Sequence, residues 1–472
     1  MKKENKTVHI GVAEAVLILI VLFCILGFLI IGLHISPQVP ILTALTFLMF
    51  YGKIRGFSWN DIMDGLESGI KPGIIPLMIF LMIGSLIACW IFSGTIPTIM
   101  YFGFNIISAK FFLPTVFIVC SLVAITCGSS FTTVSTMGIA FIGIGTVLGI
   151  NPGLTVGAIV SGAFFGANVS PLSGTTNLAA GIGEIDLYTH IKSLLLTDIP
   201  AFVISLVIYF FLGLGTKSVR LTQVTLMMQQ IKGHFWVSPW TLIPVVLLLA
   251  LAWLKVPAVP SLIAGSAMGL LVGFIHNPKI SISTLASYVM NGYVAHTGNK
   301  MLNALFSKGG ISSMLSSAAL IILALALGGT LIKFNIIGVL INKMSSFVNT
   351  PGKLVLLTAL GSVGVNYLVG EQYLSIILPG QTFEKSYDRL ELPHKYLTRT
   401  LNDAGAAVNS IVPWGVSGTF ISGALQIEAL KYIPFAFFPI IVPLLTIILG
   451  FFVKKQTITK NRLTNKKQCF LI

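Results

Sequence analysis

The sequence predicts an all-α polytopic membrane protein made of two inverted structural repeats, with broken helices and re-entrant hairpins. Three observations lead there: a surface too apolar for water, long runs without charge, and landmarks that recur in order. Of 472 residues, 55% are hydrophobic and 9% charged, and the mean hydropathy is +0.94. A water-soluble chain carries about 25% charged residues, so most of this surface must face lipid. No residue from Phe111 to Gly183 bears a formal charge.

The first element is AVLILIVLFCILGFLIIGL, Ala15 to Leu33, close to the ~20 residues a span needs. MKKENK precedes it, as in a secretory signal, but a cleaved signal has an apolar core of about 7–15 residues. This run is longer and ends in LHISPQ, so it reads as a retained first span. Further apolar segments lie near 39–51, 74–104, 111–127, 131–150, 153–169 and 196–215. A second series covers 241–254, 259–275, 314–332, 336–342, 354–369, 405–425 and 432–453. Several are short or glycine-rich, so roughly 10–14 crossings are expected, re-entrant hairpins included.

Lys and Arg outnumber Asp and Glu by 29 to 14. The positives gather in MKKENK, in VKKQTITKNRLTNKKQ and in loops such as GKIRGF, as the positive-inside rule requires of cytoplasmic segments. Both termini are therefore expected in the cytoplasm of a multi-pass cell-membrane protein, with an even number of crossings. No basic patch alternates with aromatics, so no nucleic acid is expected as a partner. Cys24, Cys89, Cys120 and Cys127 sit in apolar runs as small hydrophobes. Cys469 opens CFLI, which mimics a prenylation box but lacks a typical last residue. The histidines show no ligand spacing, and HExxH, a phosphate loop and a nucleophile–base pair are all missing, so neither an enzyme nor a structural metal is expected.

The landmarks pair across the chain. SPQVP at 36–40 resembles VPAVP at 256–260, and Gly69 resembles Gly292. GSLIACWIFSG from Gly84 matches GGTLIKFNIIG from Gly328, GSSFTTVSTMG from Gly128 matches GEQYLSIILPG from Gly370, and GANV from Gly166 matches GAAV from Gly405. The offset drifts slowly and jumps once, between the second and third pairs, where YVAHTGNKMLNALFSKGG supplies an insertion. The expected organisation is a tail over 1–14, a first transmembrane repeat over 15–215, a connecting loop over 216–240, a second repeat over 241–453 and a basic tail over 454–472. Repeated halves around a midplane site are a transporter design.

Polar breaks interrupt the apolar runs. In VSPLSGTTN, Pro171 lacks an N–H and Gly174 is conformationally loose, so the helix should unwind. Irregular backbone at membrane depth is tolerated only inside protein or beside a watery cavity. The candidate ion- or substrate-binding residues are Ser170, Ser173, Thr175, Thr176 and Asn177 here, with Ser173, Thr176 and Asn177 as the expected Na+ ligands. Ser129, Ser130, Thr132 and Thr133 come from CGSSFTTVSTMG; Glu371, Gln372 and Ser375 come from its repeat partner. NDAGAAVNSIVPWGVSG adds Asp403 and Asn409. Glu371 and Asp403 are acids at membrane depth, functional by default, and Arg399 stands four residues from Asp403, the spacing of a helical pair.

FSGTIPTIMYFGF, GSSFTTVSTMGIAFIG, SGAFFGANVSPLSGTTNLA, GEQYLSIILPG and RTLNDAG…VPWG follow one another in an order that resembles the NhaC family of sodium/proton antiporters. The resemblance covers nearly the whole chain. It implies a broken-helix, inverted-repeat scaffold, Na+ and H+ as coupling ions with no other cofactor, and a homodimer, since related scaffolds are often dimers. The family pattern reads close to FGDKMSPLSDTTN; here Ala167, Asn168 and Gly174 stand at its first acid, its lysine and its second acid. Asn402 and Gly415 likewise depart from EDAGT…PWN, while Glu371 and Asp403 remain. Ser, Thr and Asn do not titrate near neutral pH, so the lost acids weaken the case for plain sodium/proton exchange, though Glu371 and Asp403 could still serve. By resemblance the expected function is sodium/proton antiport. The alternative is Na+- or H+-coupled transport of a small organic solute, an amino acid or carboxylate, on the same scaffold.

Overall fold

The computed structural model describes residues 9–33, 35–106, 109–215 and 221–453, and contains helices and no strands among them. The C-terminal basic tail and Cys469 lie outside the described residues. So does the N-terminal tail up to residue 8.

The first series of helices is α1 (Val12–Gly27), α2 (Gln38–Arg55), α3 (Trp59–Ile70), α4 (Ile74–Phe92), α5 (Thr95–Ile106), α6 (Phe112–Cys127), α7 (Ser130–Val147), α8 (Pro152–Val169), α9 (Gly174–Ile182) and α10 (Leu187–Leu214). After a connecting helix (Leu221–His234) the second series is α11 (Ile243–Trp253), α12 (Ala258–His276), α13 (Ile282–Asn291), α14 (Ile311–Lys333), α15 (Ile336–Ser345), α16 (Pro351–Val369), α17 (Gln372–Arg389), α18 (His394–Leu401), α19 (Val416–Leu425) and α20 (Phe437–Gly450). The order of long and short elements from α1 to α10 recurs from α11 to α20. Eight helices among the described residues are long and apolar enough to cross a membrane, and two bent pairs bring the number to ten, the lower end of the expected range.

Corresponding ends are built by the same local chemistry. α2 and α12 both follow a proline N-cap, Pro37 and Pro257. α3 and α13 both start on a serine whose hydroxyl accepts the N–H three residues on, Ser58 and Ser281, which satisfies one donor that the first helical turn leaves free. α6 and α16 end on glycines in the left-handed region, Gly128 (φ 67°) and Gly370 (φ 76°), where a side chain is disfavoured. The next residue is extended and caps the following helix. Ser129 Oγ accepts from Thr132 N–H at 3.2 Å, and Glu371 Oε2 accepts from Leu374 N–H at 2.8 Å.

The second pair of breaks falls at 170–173 and 412–415, as the proline motifs predict. Ser170 Oγ donates to the Ile125 carbonyl at 2.7 Å. Asn409, its equivalent in the GANV/GAAV pairing, does more. Its amide donates to Asn366 Oδ1 at 2.8 Å and to the Gly370 carbonyl at 3.1 Å, and its oxygen accepts from Ser417 N–H at 2.9 Å. Thus both breaks of the second series are tied to one buried side chain. Trp414 donates to the Tyr367 carbonyl at 2.8 Å and packs its ring edgewise on Tyr367.

α6 and α8 share the most extensive helix–helix contact among the described residues. At Gly162 and Gly166 an added Cβ would run into the Phe117 and Ser121 carbonyls, so these glycines let the backbones touch, as small residues do between membrane helices. α10 shows the reverse of a water-soluble amphipathic helix. Leu196, Ile199, Val203, Val207 and Phe211 are exposed, whereas His190, Ser193, Thr197, Asp198, Ser205 and Tyr209 are buried. The polar stripe faces protein because lipid offers it no partner.

Asn409→Ala deletes three hydrogen bonds and strands the Ser417 N–H and Asn366 Oδ1, while the Gly370 carbonyl keeps Val416 N–H, so it should cost about 2–4 kcal/mol. Ser170→Ala, which loses one bond, should cost about 1 kcal/mol. Thermal unfolding of the detergent-purified variants checks the order; equal losses would mean that Asn409 does not anchor the breaks.

Candidate functional site: a buried aspartate pair beside a polar chamber

α8, α10, α20 and the turn that follows α18 meet inside the protein. Each brings polar groups. α8 carries Asn168 in its last turn, α10 carries Thr197 and Asp198, and α20 carries Thr446. The turn after α18, Asn402–Ala406, is a π-type turn, a widening that is frequent at functional sites, and it carries Asn402 and Asp403. All six side chains are at most 2% exposed.

Asn168 is the hub. Its Nδ2 lies 3.4 Å from Asp198 Oδ2, 3.5 Å from Asp198 Oδ1 and 3.3 Å from Asp403 Oδ1, so one amide is shared by two carboxylates. Asn402 Nδ2 donates to Asn168 Oδ1 at 2.9 Å and so orients that amide. Asp403 Oδ2 accepts from Thr197 Oγ1 at 2.8 Å and also from Thr446 Oγ1. Arg399, four residues before Asp403, is 2% exposed. Its Nε and Nη2 have no hydrogen-bond partner among the described residues, and its guanidinium lies 5.3 Å from the Tyr396 ring centre. The helical Arg399–Asp403 ion pair that the spacing allows does not form among the described residues; threonine hydroxyls and Asn168 occupy Asp403 instead.

A membrane-buried acid costs roughly 2.5–3.5 kcal/mol on insertion scales, and a hydrogen bond to a charged group returns about 1.5–3 kcal/mol. Asp403, with two hydroxyls and a shared amide, is offset. Asp198, with only the long shared amide bonds, is not. Two carboxylates against one guanidinium leave room for a positive partner. Carboxylate, hydroxyl and amide oxygens together form a donor set for a hard cation.

Asn168 also lines a chamber of about 420 Å³, together with Ser129, Ser130, Ser173, Thr175 and Gln372. A second chamber of about 420 Å³ shares Gly128, Ser129 and Ala258 with it and adds Thr132, Asn177, Lys255 and Ser261. The structure therefore brings both halves' breaks to one place. Other expected residues are turned inward. Thr133 Oγ1 donates to the Ser129 carbonyl, Ser375 Oγ to the Gln372 carbonyl, and Thr176 Oγ1 to the Asn168 carbonyl at 2.9 Å. Asn177 donates to the Pro171 and Ser173 carbonyls, and Ser173 Oγ pairs with Thr175 Oγ1 at 3.0 Å. Ser173, Thr176 and Asn177, expected to share a Na+, are each hydrogen-bonded in and around the break. Asp403 is buried in the aspartate pair. Glu371 is fully buried, its Oε1 without a protein partner, and no hydrogen bond joins it to Asp198 or Asp403 among the described residues.

Asp198, Thr197 and Thr446 do not figure among the candidates drawn from the sequence, and Asn168 and Asn402 figure there only as departures from the family pattern. Asp198 had a legible signal: a lone acid in SLLLTDIPAFVIS, in register with His190, Ser193, Ser205 and Tyr209 on one helical face. Thr446 had none.

Asp198→Asn and Asp403→Asn should each weaken binding of labelled Na+ to the purified protein at least tenfold, about 1.4 kcal/mol. Thr446→Val should weaken it less. Unchanged binding in both aspartate variants would place the cation elsewhere.

Residues 162–454, which include every member of the aspartate cluster, match the model of the Na+/H+ antiporter family. The chain is 37% identical to the Na+/H+ antiporter NhaC of Alkalihalophilus pseudofirmus, over 89% of this chain and 91% of that one. It is 38% identical to the Na+/H+ antiporter NhaC of Bacillus subtilis, over 93% and 98%. It is also 32% identical to the malate-2H+/Na+-lactate antiporter of Bacillus subtilis, over 95% and 96%. By the extent of these matches, the chain belongs to the Na+/H+ antiporter family.

Proposed function

We propose that the protein is a secondary active transporter of the cell membrane that exchanges Na+ for H+ at the Asp198–Asp403 pair. The observation that carries this is the sharing of one amide, that of Asn168, by two buried carboxylates. Such a pair holds its negative charge only with a cation or a proton nearby. Na+ takes carboxylate and hydroxyl oxygens from Asp198, Asp403, Thr197 and Thr446; a proton satisfies the same charge without them. Occupancy by one excludes the other, which is the requirement for exchange. Asn168 stands between the pair and the chamber, so the chamber is the route by which the ion enters.

In this reading residues 15–215 and 241–453 are inverted repeats, both termini are cytoplasmic, the carrier is a homodimer, and the breaks at 128–129, 170–173, 370–371 and 412–415 are where the halves rearrange between access states. Ser129, Ser130, Ser173, Thr175 and Gln372 line the path, and Glu371 caps α17 beside it. The acid-free lining of both chambers favours a second reading, in which a small organic solute moves with the cation.

The test uses protein in sealed liposomes with an internal pH dye. External Na+ without any organic solute should drive proton efflux into the medium, and Asp198→Asn and Asp403→Asn should abolish it. Because proton and Na+ compete for the same carboxylates, the apparent KM for Na+ should rise as external pH falls. Silence until an amino acid or carboxylate is added would replace antiport with the second reading.

A further inference from the structure

The start of α9 is unusual. Ser173, its N-cap, makes no side-chain capping bond, and the N–H groups of Gly174, Thr175 and Thr176 find no acceptor among the described residues. An uncapped helix start is a positive pole with free donors, suited to an anion. Ser173, Gly174 and Thr175 line the chamber beside Asn168. The starts of α7, at Ser130 and Phe131, and of α17, at Gln372 and Tyr373, line it too. Ser129 already caps α7 and Glu371 caps α17, which leaves α9 as the open pole.

A second observation is independent of helix ends. Gln372 is only 9% exposed, lines the chamber, and its side-chain amide has no hydrogen-bond partner among the described residues. The amide is therefore open to the chamber and offers a donor and an acceptor to whatever occupies it. Charge agrees. No Asp or Glu lines either chamber, and the one formal charge on their walls is Lys255, at the adjoining chamber, with no ion-pair partner among the described residues. Gly174 keeps the pole open: a Cβ there would stand 3.0 Å from Tyr373 Oη.

We propose that this chamber binds a small organic carboxylate, its oxygens held by the free N–H groups of α9 and the Gln372 amide, with Lys255 drawing the anion in. The volume of about 420 Å³ is that of a small-ligand pocket, so the body of the ligand is a short carbon chain bearing no ammonium group, which Lys255 would repel. The proposal rests on the carrier reading, since the chamber adjoins the aspartate pair through Asn168, but it is read out separately.

The experiment measures binding of labelled L-lactate and L-malate to the purified protein in chloride-free buffer, with L-alanine and chloride as competitors. At least one carboxylate should bind at millimolar concentration or below, and neither competitor should displace it. Gln372→Leu should weaken that binding about tenfold, a loss of about 1.4 kcal/mol. Lys255→Gln should weaken it severalfold, and Gly174→Asp, which puts an acid on the open pole, should abolish it. Absence of carboxylate binding to the wild-type protein, or equal displacement by alanine or chloride, overturns the proposal. So does full binding by Gln372→Leu and Lys255→Gln. Sodium-driven proton flux in the same preparation reports on the antiport reading alone. Flux without carboxylate binding sinks this inference and leaves that reading standing; binding without flux does the opposite.

Discussion

Every polar group in the interior of this protein must find its partner within the chain, because lipid offers none. That constraint explains why the breaks are so heavily bonded. Interrupting a helix frees carbonyls and N–H groups, and here the freed groups are taken up by nearby side chains: Ser170 at Ile125, Thr176 at Asn168, Asn409 at Gly370 and Ser417. Residues that look like ligands in the sequence are largely spent in this way. The few left unspent, the start of α9 and the Gln372 amide among them, stand out for that reason.

The same constraint shapes the aspartate pair. Asp403 is surrounded by donors from α8, α10 and α20, whereas Asp198 shares a single amide with it. The asymmetry matters for an exchanger. A fully satisfied pair would have no need of a cation, and an unsupported pair would be too costly to bury. Arg399 is buried four residues before Asp403 but forms no ion pair with either carboxylate among the described residues. Asn168 stands where the family pattern has a lysine, so a neutral donor bridges the acids.

The halves meet by exchange of roles. The first series supplies Asn168, Thr197 and Asp198, and the second supplies Asn402, Asp403 and Thr446. The chamber is likewise shared: Ser129, Ser130, Ser173 and Thr175 from the first series face Gln372 from the second. Neither half contains the site alone. Any relative motion of the two series would change the distances within it.

Much of the architecture was legible in the sequence, because it follows from local rules. Apolar runs predicted the helices, Pro171 and Pro413 lie in the polar stretches that marked breaks, and Gly128 and Gly370 stood out as paired landmarks, although their left-handed conformation appears only in the structure. Asp403 was legible as an acid in an apolar setting. Asp198 carried the same signal, visible only once α10 is read as a helix with one polar face. What the tertiary structure alone decided is which polar groups are free. Thr446 lies 43 residues from Asp403 and Asn168 lies 235 residues from it, and no spacing along the chain brings such groups together. Hydrogen-bond capacity is a local property of a residue, whereas its satisfaction depends on every neighbour that packing delivers. The sequence therefore determined where the helices run and break, and packing determined which side chains hold the breaks and which keep hydrogen-bonding capacity to spare.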